Sequence, residues 1–402
     1  MHIVMFADQH VETLGGAQVS TRLQRRYLER AGHTVTIVAP RRHGPRSRIH
    51  ADDPAYADLP SMIATIDREY SVTWPGRRAD GAVERALRDR PAPDVVHVQA
   101  DFWGAFLGYR YARRHGLPVV HTMHNRVDVG LRATTPFPEL LLPGRNLWRR
   151  RALPGTGRGT DGWAYLRGLA SGASAVTAPS GHFARRLESH GVFPAVDAIW
   201  NGMDDDLLGR MRAGRVEPAA PPAVPTFLWV GRMSPEKRLL PFLEAVARAG
   251  APMRVEVIGG GAQSRAARRV VARYGLGEIV TFLGGLPYEQ TLARIAAADA
   301  LVQTSIGFET QGMTPFEAAA LGTPSVMSDP DIAAEVGAGV WRVGEPGHAD
   351  ASVDALAATL RRAAADIRSG TAPAPDPSVR ERFRQSASTA QMLAVYERVL
   401  AR

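Results

Sequence analysis

Glu217-Pro218-Ala219-Ala220-Pro221-Pro222-Ala223-Val224-Pro225, followed directly by Thr226-Phe227-Leu228-Trp229-Val230, is the stretch on which the reading of the fold turns. The proline-rich part reads as a linker and the apolar run behind it as a buried strand. Outward from it in both directions, short apolar runs alternate with longer helical stretches. Ahead of the linker, strands are expected at residues 2–7, 34–39, 94–99, 118–121 and 173–178, with a helix over 17–31 after a Gly15-Gly16 turn. Behind it they fall at 226–230, 254–258, 279–282, 300–303 and 324–327. This βαβ alternation implies parallel sheets. Two similar α/β units, residues 1–201 and 222–378, are the simplest account. A second linker over 369–377 precedes a last helix expected over 380–402, and residues 40–80 read as an irregular polar excursion.

The length of 402 residues agrees with two domains, each large enough for its own core. The absence of cysteine removes disulfides, thiolate metal sites and cysteine nucleophiles from consideration, and it fits a reducing cytoplasm. The start, Met1-His2-Ile3-Val4-Met5-Phe6-Ala7-Asp8, is too short an apolar run and meets an acid too early for a signal peptide. No run approaches the length of a membrane span. The net charge of +9 is placed unevenly: residues 1–201 hold 27 Arg against 18 acids, whereas residues 202–402 hold 22 basic and 22 acidic residues. Either the first half faces something anionic or arginine richness merely solvates its surface.

Of the 49 basic residues, 48 are Arg and one is Lys237, within Gly231-Arg232-Met233-Ser234-Pro235-Glu236-Lys237-Arg238. A lysine ammonium is a compact point charge suited to phosphate, and Arg232 stands five residues before it, so the pair reads as a diphosphate contact. Leu14-Gly15-Gly16-Ala17-Gln18 lies between the first strand and the first helix, where glycines either make a tight turn or admit an anion to backbone N–H groups. Val257-Ile258-Gly259-Gly260-Gly261-Ala262 is a similar turn without dinucleotide-binding spacing. His121 and His124, in Val119-Val120-His121-Thr122-Met123-His124-Asn125, follow a strand. His124 falls where parallel sheets place reactive side chains, and His121 either packs within the strand or pairs with it on a metal lacking an evident third ligand. In Phe308-Glu309-Thr310-Gln311-Gly312-Met313-Thr314-Pro315-Phe316-Glu317, Thr314 and Glu317 read as a capping box with Pro315 at the first helical position. Glu309, in the loop ahead, is free to accept from sugar hydroxyls.

Together the Glu309/Glu317 spacing, the run ending at Lys237, the Gly15-Gly16 turn and Asn201-Gly202-Met203-Asp204 resemble family 4 glycosyltransferases over nearly the whole chain, residues 40–80 and 135–165 matching least. The resemblance implies an α/β GT-B architecture: two Rossmann-like domains with parallel sheets facing across a cleft, and a C-terminal helix crossing back to the first. It implies hexose transfer from a nucleotide-diphosphate sugar with retention of configuration, and no cofactor or essential metal. On this resemblance Arg232 and Lys237 bind the donor diphosphate, assisted by backbone at Gly312 and Met313, and Glu317 binds the ribose. Glu309 holds the sugar, His124 sits near the anomeric carbon, and Gly16 approaches the phosphate from the other domain. Arg238, where a glycine often follows the lysine, and Thr310-Gln311, in place of Pro-Phe, are departures that bear on sugar identity.

His124-Asn125-Arg126-Val127-Asp128 loosely resembles the matching stretch of diacylglycerol glucosyltransferases, and phosphatidylinositol mannosyltransferases share the fold. Downstream, Pro136-Phe137-Pro138-Glu139-Leu140-Leu141-Leu142 and Asn146-Leu147-Trp148-Arg149-Arg150-Arg151 combine apolar residues with an Arg cluster, the composition of an interfacial segment. The expectation is a lipid acceptor and peripheral contact with the inner face of an anionic membrane; a solvent-exposed loop packing its leucines inward is the alternative. Two rivals remain: a sugar-nucleotide epimerase of the same architecture, and a basic nucleic-acid binder, which would leave Glu309, Glu317 and the glycine turns without purpose.

Overall fold

The computed structural model describes the 402 residues apart from 14, 45–46, 48–51, 66–67, 69, 128, 130–137, 154–158, 215–219 and 346. The chain forms two units: Met1–Gly202 with Gln385–Arg402, and Met203–Arg384.

In the first unit β1 (His2–Ala7) is buried along its whole length, as a strand covered on both faces must be. It is followed by α1 (Gly16–Arg30), which turns Ser20, Thr21, Gln24, Tyr27 and Leu28 inward at helical spacing. The remaining elements are β2 (Thr34–Pro40), β3 (Tyr56–Leu59), β4 (Met62–Ile63), β5 (Ser71–Val72), α2 (Arg77–Leu87), β6 (Val95–Gln99), α3 (Trp103–His115), β7 (Val119–Thr122), α4 (Pro138–Ala152), α5 (Gly162–Ala170), β8 (Ala175–Ala178), α6 (Gly181–Ser189) and β9 (Val196–Ala198). Seven parallel strands run in the order β3-β2-β1-β6-β7-β8-β9. The excursion at 40–80 supplies the edge strand β3 and a separate antiparallel β4–β5 pair.

The second unit holds α7 (Asp205–Ala213), β10 (Thr226–Val230), a 3-10 turn (Pro235–Lys237), α8 (Leu239–Ala249), β11 (Arg254–Ile258), α9 (Ser264–Arg273), β12 (Val280–Gly284), α10 (Tyr288–Ala297), β13 (Ala300–Gln303), α11 (Met313–Leu321), β14 (Ser325–Met327), α12 (Pro330–Val336), β15 (Val340–Arg342), α13 (Val353–Ser369) and α14 (Pro377–Arg382). Its parallel sheet runs β12-β11-β10-β13-β14-β15. The linker prolines precede β10 as expected, although residues 215–219 lie outside the described set.

The single last helix expected over 380–402 is two helices. Asp376 caps α14 by accepting from Ser378 N at 2.8 Å. After α14, buried Phe383 stacks on Phe316 with centroids 5.8 Å apart, and its carbonyl accepts from Met203 N at 2.8 Å, so the helical ladder breaks there. The chain resumes as α15 (Gln385–Leu400), which belongs to the first unit. There Met392, Val395, Tyr396 and Val399 pack with Ile3 and Met5, and Tyr396 Oη lies 2.6 Å from His97 Nδ1.

Candidate functional site

In both sheets the strand order reverses beside the first strand of the unit: β1 lies between β2 and β6, and β10 between β11 and β13. Loops leaving the two strands at such a reversal diverge, opening a crevice at the carboxyl end of the sheet. The sequence-singled residues cluster there.

In the second unit the loop after β10 carries Arg232 and Lys237, and the loop after β13 carries Glu309. Adjacency of β10 and β13 joins residues 72 positions apart: Lys237 Nζ and Glu309 Oε1 form a close ion pair, both largely buried. Ser305 Oγ also donates to Glu309 Oε1, at 2.9 Å, and Thr304 Oγ1 donates to the Lys237 carbonyl at 2.6 Å while accepting from Trp229 Nε1 at 3.0 Å. Both ends of the pair are thereby held from the strand tips. Arg232 lies exposed on the same loop as Lys237. The Gly259-Gly260-Gly261 turn backs this loop. A Cβ on Gly259, at φ 125°, would lie 2.0 Å from the Gly231 carbonyl oxygen, and Met233 N donates to Gly260 O at 2.8 Å. Its glycines serve close backbone packing.

Gly312, at φ 74°, is the N-cap of α11, and a Cβ there would lie 3.4 Å from Glu309 Cγ, so the start of the helix approaches the ion pair. The expected Thr314–Glu317 capping box does not form: the helix begins at Met313, ahead of Pro315, and no side chain caps it. The left-handed glycine lets the helix start earlier, leaving Glu317 too deep for capping. Glu317 is buried and accepts from Tyr288 Oη of α10 at 2.7 Å. Burial raises its carboxyl to about 7, against which the Tyr288 bond acts.

In the first unit the crevice collects two carboxylates that the sequence reading passed over. Asp8 follows β1 and accepts from the backbone N–H groups of Asp101 (2.8 Å), Phe102 (3.1 Å) and Gly104 (2.9 Å) at the start of α3. Gly104 is required there, since a Cβ would lie 2.6 Å from the Ala7 carbonyl. Asp101, fully buried after β6, accepts from His124 N (3.0 Å), Asn125 N (2.9 Å) and Asn125 Nδ2 (2.8 Å). Burial, and next the charge of Asp101, raise the Asp8 carboxyl to about 7. The legible signal was an acid within two residues of the end of each of two adjacent strands.

His124 projects from the β7 end, its Nε2 2.5 Å from Gln99 Oε1, so the proton sits on Nε2. Burial lowers its pKa to about 4, Asp101 opposing, which keeps the imidazole neutral near pH 7. His121 is committed within the sheet: Nε2 meets Ala100 O at 2.8 Å and Nδ1 meets Tyr109 Oη at 2.9 Å. Among the described residues no group of three His, Asp or Glu side chains is arranged to hold a metal ion. Gly16 is exposed at the first turn of α1, and Gly15, at φ 154°, precedes it without a side-chain cap.

Within the expected basic interfacial segment, one arginine departs from the reading. Arg149 is fully buried; a Cβ on Gly168 of α5 would fall 1.8 Å from its Nη1, so this arginine is a core filler. Arg150 and Arg151 are exposed, as are Leu147 (51%) and Trp74 (63%), whose ring lies 5.0 Å from that of Trp148. Asp128, Pro136 and Phe137, and the side chains of Pro138, Glu139, Leu140 and Leu141, lie outside the described set, while Leu142 is buried. Among the described residues no helix is long and apolar enough to cross a membrane.

The sequence matches two family models, Glycosyltransferase Family 4 over residues 14–207 and Glycosyl transferases group 1 over residues 213–366. Similar proteins include the GDP-mannose-dependent alpha-mannosyltransferase of Mycolicibacterium smegmatis, 26% identical over 82% of this chain and 80% of that one. The alpha-monoglucosyldiacylglycerol synthase of Streptococcus pneumoniae is 23% identical over 81% of this chain and 70% of its own. Among solved structures, Anabaena HepE, determined with UDP and glucose, superposes with a TM-score of 0.67 at 16% identity, covering 99% of this chain and 100% of its own. Sucrose-phosphate synthase of Thermosynechococcus elongatus gives 0.69 at 19% identity, covering 100% and 99%. With two Rossmann-like units, GT-B structural neighbours and both family models matched in order, the chain belongs to the family 4 glycosyltransferases.

Proposed function

We propose that the enzyme moves a hexose from a nucleotide-diphosphate sugar to an acceptor hydroxyl with retention of configuration, and that the Lys237–Glu309 pair is the centre of its donor site. The observation that carries this reading is the ion pair itself: one cation and one acid, delivered by separate loops to the sheet reversal. Lys237 faces the diphosphate, where negative charge grows as the glycosidic bond breaks, and a fixed cation aimed there lowers the barrier. Glu309 accepts from sugar hydroxyls. Arg232 adds a second cation, Gly312 and Met313 offer N–H groups at the start of α11, and Glu317, oriented by Tyr288, takes the ribose hydroxyls. On the family resemblance Gly16 contributes a phosphate contact, and His124 hydrogen-bonds near the anomeric carbon as a neutral imidazole. No step is assigned to a metal or cofactor.

For the acceptor, we favour a membrane lipid reached at an anionic surface. Exposed Trp74 and Leu147 beside Arg150 and Arg151 supply the apolar and basic parts of such a contact, and one relative is by its name a glucosyldiacylglycerol synthase. Thermal-shift screening against UDP- and GDP-linked sugars identifies the donor; failure of every nucleotide sugar to stabilise the protein would remove the reading. Flotation with anionic vesicles at low salt tests the surface, with binding expected to fall on Arg150→Ala/Arg151→Ala and on Trp74→Ala.

A further inference from the structure

In the second unit, away from the Lys237–Glu309 pair, an open cavity of about 350 Å³ lies between α7 and the end of α14, with Asp205, Leu208, Arg212, Arg380 and Arg384 in its walls. Three guanidiniums thus share one depression with a single wall carboxylate. Glu381 pairs with Arg384 at 3.1 Å. Arg380 spends Nε on the Ala320 carbonyl of α11 at 3.3 Å, and among the described residues its terminal nitrogens have no hydrogen-bond partner. Arg212 likewise has neither an ion pair nor a hydrogen bond among the described residues. Burial, then the nearness of Arg212 and, after the opposing Glu381, of Arg384, lowers the pKa of Arg380.

Helix chemistry accounts for part of this. Arg212 stands in the last turn of α7 and Arg380 in α14, where cations complement the helix dipole. That role is met by arginines pointing anywhere into solvent; it does not call for three to converge on one cavity, where their mutual repulsion is unfavourable. Planar guanidinium forks match phosphate oxygens two at a time, and a cavity of this size admits a phosphate with a further group attached. We propose that this cavity is a second anion site, taking a phosphate group through Arg212, Arg380 and Arg384. An anion there ties α7 to α14 across α11, on which both pack: Arg380 already bonds the α11 backbone, and Phe383 stacks on Phe316 beside Glu317.

The phosphate can be free or part of a lipid headgroup, and the test separates the two. Inorganic phosphate is titrated calorimetrically into an Arg232→Ala/Lys237→Ala protein, in which the proposed donor site cannot contribute, and into the same protein carrying Arg212→Ala/Arg384→Ala; both added positions are exposed, and circular dichroism confirms the fold. Binding at least tenfold weaker in the second protein assigns the site to free phosphate. Co-sedimentation with phosphatidylglycerol vesicles, against phosphatidylcholine vesicles, forms the other arm. Arginine-dependent binding to the anionic vesicles, without affinity for free phosphate, assigns it to a headgroup. Binding that is indifferent to the two arginines in both arms, or absent from both, overturns the proposal.

Discussion

The two sheets reverse their strand order at corresponding places and fill the crevice in opposite ways. In the first unit the charged groups, Asp8 and Asp101, are both acids, each held by backbone and amide N–H donors of loops that cannot leave. In the second, a cation and an acid arrive on different loops and satisfy each other through flexible side chains. The same topological position therefore builds fixed scaffolding once and an exchangeable pair once. Under the proposed function a ligand bearing a diphosphate and hydroxyls competes for Lys237 and Glu309, whereas nothing can compete for Asp101 without unmaking the loop that carries His124.

The strongest way to break this comparison is to remove each kind of group and ask which property suffers. Lys237→Ala and Glu309→Ala should each lower turnover at least about a hundredfold, the order expected for losing a fixed group at a developing charge, while circular dichroism and the melting profile stay close to the parent. Near-parent rates would dismantle the site. Asp101→Ala should behave the other way. It removes a fully buried carboxylate and leaves three N–H donors, on half-buried His124 and exposed Asn125, without their acceptor, and should cost roughly 2 kcal/mol of stability, read from the denaturant midpoint, within the about 1 to 3 kcal/mol for a group left unpaired. An Asp101→Ala protein as stable as the parent would show that the first crevice is not scaffolding.

Protonation sharpens the contrast. Glu317 rises from 4.5 to about 7 in the folded chain, burial being the cause, so the folded state keeps its proton after the unfolded state has lost it. Stability is then greatest below about pH 4.5, falls as pH rises towards 7, and levels off above, by an amount of about 3 kcal/mol at 1.36 kcal/mol per unit. Glu317→Gln still accepts from Tyr288 and should flatten this slope. Asp8, raised from 3.8 to about 7 by burial and then by Asp101, contributes a slope of the same sign. Asp8→Asn should flatten its own share too, but should destabilise the protein at every pH, because an amide nitrogen replaces an oxygen among three N–H donors. Denaturant midpoints between pH 4.5 and 8 distinguish the two.

These contrasts mark where the sequence was legible. Apolar runs such as His2–Ala7 and Thr226–Val230 announced central strands because both faces are buried. The edge strand Tyr56–Leu59 exposes part of its length and hides in a polar stretch. Lys237 and Glu309 were each legible from local chemistry, but their meeting depended on β10 lying beside β13, a matter of strand order. Glu317 was read by local capping rules, and Tyr288, 29 residues away, overrode them. Arg149 shows the same failure from the other side: within a run of three arginines nothing local distinguishes the one whose helix face points at Gly168.

The smallest effect concerns a departure visible in the sequence. Arg238, where the family often has glycine, adopts φ 55° and ψ 36°, linking the turn that carries Lys237 to α8. The left-handed conformation costs a side-chain-bearing residue about 1 to 2 kcal/mol. The guanidinium offsets part of this by donating from Nη2 to Ala351 O at 2.6 Å. Arg238→Gly loses that bond and relieves the backbone, whereas Arg238→Ala loses the bond and keeps the strain. The glycine variant should therefore be more stable than the alanine variant by about 1 kcal/mol, even though glycine is ordinarily the more costly residue to order. Equal denaturant midpoints for the two would mean that the turn holds no strain, and that the family glycine serves close approach of a ligand to Lys237 rather than backbone geometry.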